Sequence, residues 1–298
     1  MELLLDLFHD YFRRLHQVVL DADEEDSGRE ILGTVEGREA SEDVEIKVDE
    51  VAYKLFADVL AEYQVDNAGL LNTWVRHEHD HAGYGTINPT IRIDLDPIDG
   101  SDEYLRRIRN SVYSVVCARD ADTLRPLAAA TLDVHAGMVY SVGQDGILSI
   151  EFLRSERVIT VSLAGHTALA DTGVVGAVYV GRMSYLSPWM AALQEVLSRP
   201  EHAGIALHGK GGSFVYAFIA AGVFSFYAMP DEPVDEILPG LAFAELAGFP
   251  VLVREGAGDW VQFDVRSHGR LKRVPFLVAA CTNELAAELT AAVDQTID

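Results

Sequence analysis

Two aspartates of the sequence, Asp96 and Asp99, are separated only by Pro97 and Ile98. Two carboxylates held this close repel each other unless a cation lies between them. Hard divalent ions that prefer oxygen ligands, above all Mg²⁺, suit such a pair. The pair therefore indicates a metal site. The plain alternative is a strand-to-turn corner with two solvated aspartates.

A strand is expected to carry this pair. Apolar and polar side chains alternate before it in the order Ile91, Arg92, Ile93, Asp94, Leu95 and Asp96. Such alternation is typical of a half-buried strand, and Pro97 should end its ladder because proline has no N–H to donate. Ser101 is a preferred N-cap for the helix that follows. The amides of Gly100 and Ser101 then point their partial positive charge at a place where a phosphate can lie.

Other elements follow from the spacing of apolar residues. Helical spacing predicts helices over residues 2–20 and 49–63. Period-two patterns predict strands over residues 111–118, 126–134, 137–142 and 147–150. Further along the chain we expect a helix opened by Gly211, Gly212 and Ser213, a strand over residues 223–228, a loop over residues 229–234 and a helix over residues 235–248.

Composition limits the class of protein. With 298 residues, 49% of them hydrophobic, the chain can bury a full-sized core as one large domain or two intimate halves. The formal net charge of −24 argues against nucleic acid and anionic membranes as partners. The two cysteines, Cys117 and Cys281, stand in apolar runs and are expected to be buried thiols rather than a disulfide.

No targeting or membrane-spanning segment is expected. Residues 1–6 carry acid instead of base before their apolar residues, which is unlike a signal peptide. Residues 213–229 are nearly uncharged, but they are too few for a membrane span and Gly222 divides them. We therefore expect a soluble, cytoplasmic protein.

The string D-P-I-D-G-S at residues 96–101 resembles a known family motif. It is similar to the D-P-[IL]-D-G-[ST] motif of the inositol monophosphatase and fructose-1,6-bisphosphatase superfamily, whose members are Mg²⁺-dependent, lithium-sensitive phosphatases. The resemblance covers about residue 38 to the C-terminus. It implies a layered α/β fold of the sugar-phosphatase type (αβαβα), with a mostly antiparallel sheet and two helices first and an αβα half after it. We expect one phosphatase-like domain, residues 1–298, with approximate halves 1–155 and 156–298.

The resemblance also implies a set of site residues. The ligands of two or three Mg²⁺ ions, for which Mn²⁺ can substitute, would be Glu78, Asp96, the carbonyl of Ile98, Asp99 and Glu236. The catalytic group would be Ser101, hydrogen-bonded to Asp49, with Glu78 beside the attacking water. The amides of Gly100 and Ser101 would hold the phosphate, and Ser213 and Arg38 would lie at the substrate.

Two assignments have alternatives. Glu78 is flanked by histidines at positions 77, 79 and 81, a cluster that also resembles a signature of binuclear zinc hydrolases, although the spacing is one residue short. At the other ligand, ungapped counting back from Glu245 and Gly248 selects Glu236 over Asp235. Pro three residues after this Glu is typical of the bisphosphatase branch, and proline is tolerated in the first turn of a helix. Asp235 remains the second choice.

The first turn after the motif departs from the family. Members commonly continue G-[ST]-x-N, whereas this chain places Asp102 and Glu103 after Ser101. Both acids oppose a dianionic phosphate, so they face away, recruit another metal or weaken catalysis. Arginines follow at positions 106, 107 and 109, either as an exposed basic helix face or as partners of a second phosphate.

The function expected from the sequence is Mg²⁺-dependent hydrolysis of a phosphate monoester of a small sugar or polyol. We expect no nucleic-acid or membrane partner and a homodimer or higher homo-oligomer. The competing hypothesis is a non-catalytic metal- or ligand-binding protein on the same fold. The zinc hydrolase is the least favoured alternative.

Overall fold

The computed structural model describes residues 2–34, 44–70, 72–77, 80–179, 188–255 and 259–297. The chain divides into two compact units, Met1–Thr160 and Val161–Asp298. Each unit combines a β-sheet with helices, which confirms the predicted layered α/β class. That the units act as one phosphatase-like domain stays a prediction. None of the described helices is both long and apolar enough to cross a membrane.

The first unit is built on a large, mostly antiparallel sheet. Its helices are α1 (Glu2–Glu24), α2 (Lys47–Asp66) and α3 (Ser101–Leu105). A hairpin of β1 (Ile31–Thr34) and β2 (Val44–Ile46) lies apart from the sheet. The sheet strands are β3 (Thr73–His77), β4 (Asp80–Gly85), β5 (Ile91–Asp99), β6 (Tyr113–Asp120), β7 (Pro126–Asp133), β8 (Met138–Gly143), β9 (Leu148–Phe152) and β10 (Arg157–Val161). They are ordered β10-β9-β8-β7-β6-β5-β3-β4; β3 and β5 pair in parallel, whereas the pairs β3–β4, β5–β6, β6–β7, β7–β8 and β8–β9 are antiparallel.

Two long helices cover one face of this sheet. Phe8, Phe12 and Leu15 recur at helical spacing on α1 and are fully buried, as predicted from the pattern. α1 lies against β7 and β8, and α2 lies against β5. On β5 the residues Ile93 and Leu95 join this core. Because successive side chains of a strand point to opposite faces, the polar set of β5 lies on the other side.

Asp94 anchors that polar face. Its side chain is buried, and Asp94 Oδ1 accepts hydrogen bonds from Arg76 Nε on β3 and from Arg92 Nη2, both at 2.9 Å. Burial raises the pKa of Asp94, but the charges of Arg76 and Arg92 outweigh it and hold the pKa below its ordinary value. β5 is therefore fixed to its neighbour by charge as well as by the backbone ladder.

Strand β5 does not end where the sequence indicates. The prediction that Pro97 ends the ladder is wrong, because pairing with β6 resumes at Asp99. Asp96 pairs with Val115 and Asp99 with Tyr113, so β5 carries one extra residue between its aspartates. This is a β-bulge, a position where proline is tolerated because no ladder hydrogen bond is required of it.

The second unit contains a smaller mixed sheet. Its helices are α4 (Pro188–Leu197), α5 (Phe214–Ala220), α6 (Val234–Ala247), α7 (Val265–His268) and α8 (Asn283–Ile297). Its strands are β11 (Val175–Val178), β12 (Ala206–His208), β13 (Phe226–Pro233), β14 (Val251–Glu255), β15 (Asp259–Gln262) and β16 (Arg273–Ala280). The order is β12-β11-β13-β16-β14-β15, with the first three strands parallel. The loop predicted over residues 229–234 is wrong, since β13 pairs with β16 as far as Pro233.

The two cysteines are free and buried, one in each unit, as expected. Cys117 lies on β6, and Cys281 directly follows β16. Burial raises the pKa of the Cys281 thiol above its ordinary value. Because both thiols are buried, neither is accessible as a nucleophile.

We predict that Asp94→Asn lowers the free energy of unfolding by about 3–5 kcal/mol, because two guanidinium groups lose the buried charge that they share. The pKa of Asp94 is lower in the folded state than in the unfolded state. The Asp94 carboxylate therefore contributes its full stabilisation above the unfolded-state pKa, and this stabilisation is lost as pH falls through the folded-state pKa. Urea unfolding between acidic and neutral pH measures both effects. The exposed Asp122→Asn serves as the control, and equal acid-side losses in wild type and Asp94→Asn would contradict the assignment.

Candidate metal and phosphate site

Three of the predicted ligands, Asp96, Ile98 and Asp99, lie at the bulge of β5. Asp96 is only 2% exposed, whereas Asp99 is partly exposed at the end of the strand. The side chain of Ile98 is buried in the core, and its carbonyl oxygen lies 3.0 Å from Ser101 Oγ. Carboxylates and a peptide carbonyl are hard oxygen donors of the kind that Mg²⁺ prefers. A cation also offsets the cost of burying a carboxylate such as Asp96.

Gly100 makes the turn that follows the bulge. Its φ is +100°, and a Cβ at this position would lie 2.2 Å from the carbonyl oxygen of Ser111. Only glycine fits both constraints. Gly100 is also the N-cap of α3, so the prediction that Ser101 is the N-cap is wrong. The cap position requires left-handed backbone, and Ser101 becomes the first residue of the helix instead.

Ser101 lies between the two segments that the resemblance connects. Its hydroxyl is 3.0 Å from Asp49 Oδ1 and 3.0 Å from the carbonyl oxygen of Ile98, and it can donate to either. Asp49 Oδ2 accepts the N–H of Ile46 at 2.8 Å, in the first turn of α2. Both Ser101 and Asp49 are buried. The start of α2 and the start of α3 are thus joined through one carboxylate.

Tyr11 is a neighbour of this network that sequence reasoning missed. Its hydroxyl lies 3.5 Å from Ser114 Oγ, which donates to the carbonyl of Asp96 at 3.3 Å. Burial raises the pKa of Tyr11 far above its ordinary value, and the carboxylates of Asp96 and Asp49 add to the effect. The only signal in the sequence is that Tyr11 shares the helical spacing of the buried face of α1.

The two extra acids of α3 face different ways. Asp102 Oδ2 accepts a hydrogen bond from Arg106 Nη2 at 3.1 Å, one turn along the helix. Glu103 bends back, so that its Oε2 lies 3.6 Å from the point that a Cβ of Gly100 would occupy. Burial raises the pKa of Tyr113, and charges that include Asp133, Asp99 and Glu103 raise it further. Glu103 therefore lies beside Gly100 of the motif, and Asp102 is paired with Arg106.

The arginines after the motif are paired with carboxylates. Arg106 contacts Asp102, as described above. Arg107 Nη2 lies 2.8 Å from Asp26 Oδ1. Arg109 Nε lies 3.5 Å from Asp23 Oδ2, whose carboxylate also binds Arg29. These side chains therefore do not form a bare basic face.

The second unit holds the other predicted ligand in the first turn of α6. Asp235 and Glu236 are its second and third residues, and both are half-buried, so burial does not choose between them. The helix begins at Val234, which places Pro239 in its second turn. The argument that a first-turn proline supports Glu236 is therefore wrong. Two sequence comparisons still support Glu236: the spacing to Glu245 and Gly248, and the Pro three residues later, as in the bisphosphatase branch.

Ser213 inserts into the hydrogen-bond ladder of α6. Its hydroxyl donates to the carbonyl of Glu236 and accepts the N–H of Gly240 at 3.3 Å. An α-helix would bond these two backbone groups directly. Pro239 has no N–H for the carbonyl of Asp235, so two successive rungs are altered. Gly240 allows the approach, because a Cβ there would lie 2.2 Å from the carbonyl oxygen of Ser213.

This arrangement gives the Ser213 hydroxyl a structural role. The residue is fully buried, and both hydrogen bonds of its hydroxyl are made inside the second unit, where they fix the first turn of α6. The predicted contact of Ser213 with substrate stays a prediction.

Some predicted residues lie outside the described part of the chain. Arg38, Glu78 and His79 belong to this group, and the side chains at positions 77, 80 and 81 are not described either. The zinc alternative therefore stays untested. Among the residues that are described, no three Asp, Glu, His or Cys side chains form a metal-binding group. The described part of the chain does include the predicted oxygen donors of the β5 bulge, which are Asp96, the carbonyl of Ile98 and Asp99.

Comparisons with known proteins address the fold. No family model matches the sequence, and no curated protein matches it. Solved structures do match over nearly the whole chain. SuhB of Bartonella henselae superposes with a TM-score of 0.70 at 13% identity, covering 98% of each chain. An IMPase of Thermotoga maritima gives 0.68 at 12% identity, covering 100% of this chain and 98% of the other.

A third structure holds a ligand. SaIMPase-II bound to inositol monophosphate gives a TM-score of 0.63 at 12% identity and covers 98% of each chain. At such identities the likeness is one of backbone architecture. The chain therefore has the fold of the inositol monophosphatase family.

Proposed function

We propose that the protein is a Mg²⁺-dependent phosphatase that hydrolyses a phosphate monoester of a small sugar or polyol. The observation that carries the proposal is the contact of Ser101 with Asp49, made directly beside the bulge of Asp96 and Asp99. It occurs in a chain with the inositol monophosphatase fold, at a motif that resembles the family's own. Fold alone does not specify chemistry, so the site residues carry the argument.

The proposed ligands in the first unit are Asp96, the carbonyl of Ile98 and Asp99. The resemblance adds Glu78, and it adds Glu236 of the second unit. When bound, Mg²⁺ supplies positive charge to the phosphate oxygens and to the leaving oxygen. The hard oxygen donors of the bulge fit this ion better than a softer metal.

The chain's own groups position the reactants. When the Ser101 hydroxyl donates its hydrogen bond to Asp49 Oδ1, the lone pairs of Ser101 Oγ are available to accept a hydrogen bond from a water. That water is then oriented toward the phosphorus, and the resemblance places Glu78 beside it. The amides of Gly100 and Ser101 face the phosphate oxygens, where negative charge is held during transfer. Fixed donors of this kind cost no reorganisation in the transition state.

The substrate class is supported by one neighbour. SaIMPase-II binds inositol monophosphate, and its backbone superposes on nearly all of this chain. We propose a phosphorylated polyol or sugar for this chain by analogy with that protein. A homodimer or higher homo-oligomer and a cytoplasmic location complete the proposal as predictions from the sequence.

A non-catalytic ligand-binding protein is the second candidate. Glu103 places a negative charge beside Gly100 of the motif, which opposes a dianionic phosphate and favours weak or absent turnover. Activity measurements separate the two candidates.

The first test of the proposal is turnover. The purified protein should hydrolyse at least one of a panel of inositol monophosphates, fructose 1,6-bisphosphate and nucleotide 3′-phosphates with Mg²⁺, and EDTA should stop it. Asp96→Asn should lower kcat by about a hundredfold or more, because it removes a charge from the centre of the metal site. Asp122→Asn, exposed and outside the motif, should leave kcat unchanged. If none of these esters is hydrolysed, the result favours the non-catalytic ligand-binding protein.

Metal linkage to stability needs no substrate. Mg²⁺ at a hundredfold excess over Kd should stabilise the fold by about 2.7 kcal/mol for each independent site. Asp96→Asn should remove most of this gain, seen as a smaller rise in Tm on adding Mg²⁺ or Mn²⁺. A wild-type Tm that does not move with millimolar Mg²⁺ would argue against any metal site at the bulge.

Substitutions of Glu236 and Asp235 should have different kinds of effect, one on turnover and the other on stability. Neighbouring residues of a helix point about 100° apart, so one of them at most can serve as the ligand. Glu236→Gln should lower kcat by about a hundredfold or more, whereas Asp235→Asn should cost only about 1 kcal/mol of stability at the helix N-terminus. Steady-state kinetics at saturating Mg²⁺ and urea unfolding measure the two effects. The opposite ranking would make Asp235 the ligand.

A further inference from the structure

We propose that Arg29 is a positioning residue for the contact between Ser101 and Asp49. The inference deepens the proposed function and rests on it for the catalytic role of that contact. Arg29 lies outside the motif, and it acts through the two helix ends that carry these side chains.

Helix α3, which carries Ser101, is too short to be stable by itself. It has five residues, Ser101–Leu105, whereas an isolated helix needs about 12–15 residues to form in water. The carbonyls of its last turn also have no partner within an α-helix. The position of the Ser101 hydroxyl therefore depends on contacts that hold α3 from outside.

Arg29 holds the far end of α3 through Tyr104. Arg29 Nε donates to the carbonyl of Tyr104 at 3.2 Å, and Arg29 Cζ lies 4.7 Å from the centre of the Tyr104 ring. The Tyr104 side chain is buried. Because a guanidinium is attracted to the face of an aromatic ring, one side chain holds both the backbone and the ring of Tyr104.

Two carboxylates fix the guanidinium of Arg29 in turn. Its Nη1 donates to Asp26 Oδ1 at 2.8 Å, and its Nη2 donates to Asp23 Oδ1. The Asp23 side chain lies in the last turn of α1 and is only 4% exposed. Its other oxygen lies 2.9 Å from His135 Nε2 and 3.5 Å from Arg109 Nε. The planar fork of the guanidinium is thus bound on several sides and has one orientation.

The backbone on either side of this arginine holds the start of α2. The carbonyl of Gly28 accepts the N–H of Val48 at 3.0 Å, and the carbonyl of Glu30 accepts the N–H of Lys47 at 2.8 Å. Both N–H groups belong to the first turn of α2, where the helix supplies no acceptor. Asp49 is the next residue of this turn.

Gly28 allows the chain to approach both helices closely. Its φ is +82°, and a Cβ there would lie 3.2 Å from the hydroxyl of Tyr104 and 3.4 Å from Val48 Cβ. The Tyr104 hydroxyl donates to the carbonyl of Ser27 at 3.4 Å. Burial raises the pKa of Tyr104 to about 12, and the charge of Asp23 adds to the effect, so the hydroxyl keeps its proton. Residues 27–30 therefore contact both helix ends.

The catalytic consequence follows from this connection. Ser101 and Asp49 lie on different helices, and their 3.0 Å contact depends on how the two helices are held together. A displacement of about 1 Å in a catalytic site can lower a rate by about a hundredfold. Loss of the Arg29 side chain should therefore lower kcat through the Ser101 hydroxyl.

The kinetic test compares Arg29→Gln with Arg14→Gln in the full-length protein, with Mg²⁺ and the best ester of the panel. Arg14 also binds two carboxylates, Asp10 on α1 and Glu62 on α2. Arg29→Gln should lower kcat by about tenfold to a hundredfold, and Arg14→Gln by less than about threefold. In a Ser101→Ala background, Arg29→Gln should lower kcat by less than about threefold, because the hydroxyl that it positions is already absent.

Amide hydrogen exchange followed by mass spectrometry tests the same inference without turnover. Arg29→Gln should speed exchange by about tenfold over residues 101–107 and 47–52, because both helix ends lose support. Exchange over β7, Pro126–Asp133, serves as the reference for global stability and should not change. Arg29→Lys keeps the charge without the planar fork, so it should give intermediate effects in both measurements. It also provides the test if Arg29→Gln does not fold.

Each other outcome has a definite meaning. Unchanged exchange at the two helix ends would overturn the inference, and so would an equal rise in exchange over β7. Equal kcat losses with and without the Ser101 hydroxyl would also overturn it, because the loss would then be a general structural one. If the wild type hydrolyses an ester and Arg29→Gln does so equally fast, the inference fails and the proposed function stands. If the wild type hydrolyses none while exchange follows the expected pattern, the proposed function fails and the positioning role of Arg29 stands.

Discussion

One extra residue in strand β5 determines the geometry of the candidate site. In a regular ladder Asp96 and Asp99 would point to opposite faces, because they are an odd number of residues apart. The bulge changes this relation, and pairing with β6 on both sides of it keeps the backbone fixed. Gly100 then turns the chain at a distance from the carbonyl of Ser111 that no other residue tolerates. The contact of Ser101 with Asp49 directly follows these two features along the chain.

Three buried carboxylates lie at or near this bulge, and two of them have different kinds of partner in the structure. Asp94 is held by the guanidinium groups of Arg76 and Arg92. Asp49 is held by the N–H of Ile46 and the hydroxyl of Ser101. For Asp96, the proposed partner is a Mg²⁺ ion. Burial of a charge costs free energy unless a partner compensates it. Guanidinium groups compensate Asp94, and N–H and hydroxyl donors compensate Asp49, so both carboxylates can be buried.

Local patterns predicted much of this architecture. The alternation over β5 and the helical spacing of α1 could be read from the sequence, because each depends on neighbours a few residues apart, whereas the layered α/β class followed from the resemblance to the family. The bulge at Pro97, the extension of β13 through Pro233 and the cap at Gly100 could not be predicted. In each case pairing with a distant segment outweighs the local preference of proline or serine. The side-chain direction of Glu103 depends on tertiary packing, and no spacing rule gives it.

Ser213 has a consequence for the motions of the second unit. Its hydroxyl belongs to the start of α5 but completes a rung of α6, between Glu236 and Gly240. The first turn of α6 therefore cannot fray as an independent helix end, since opening it also breaks contacts of α5. Local unfolding of the two helices becomes one cooperative event with a single free energy. The amide hydrogen of Gly240 should then exchange with solvent at the rate at which the two helices open together. Glu236 is held more rigidly than a residue at a helix N-terminus ordinarily is.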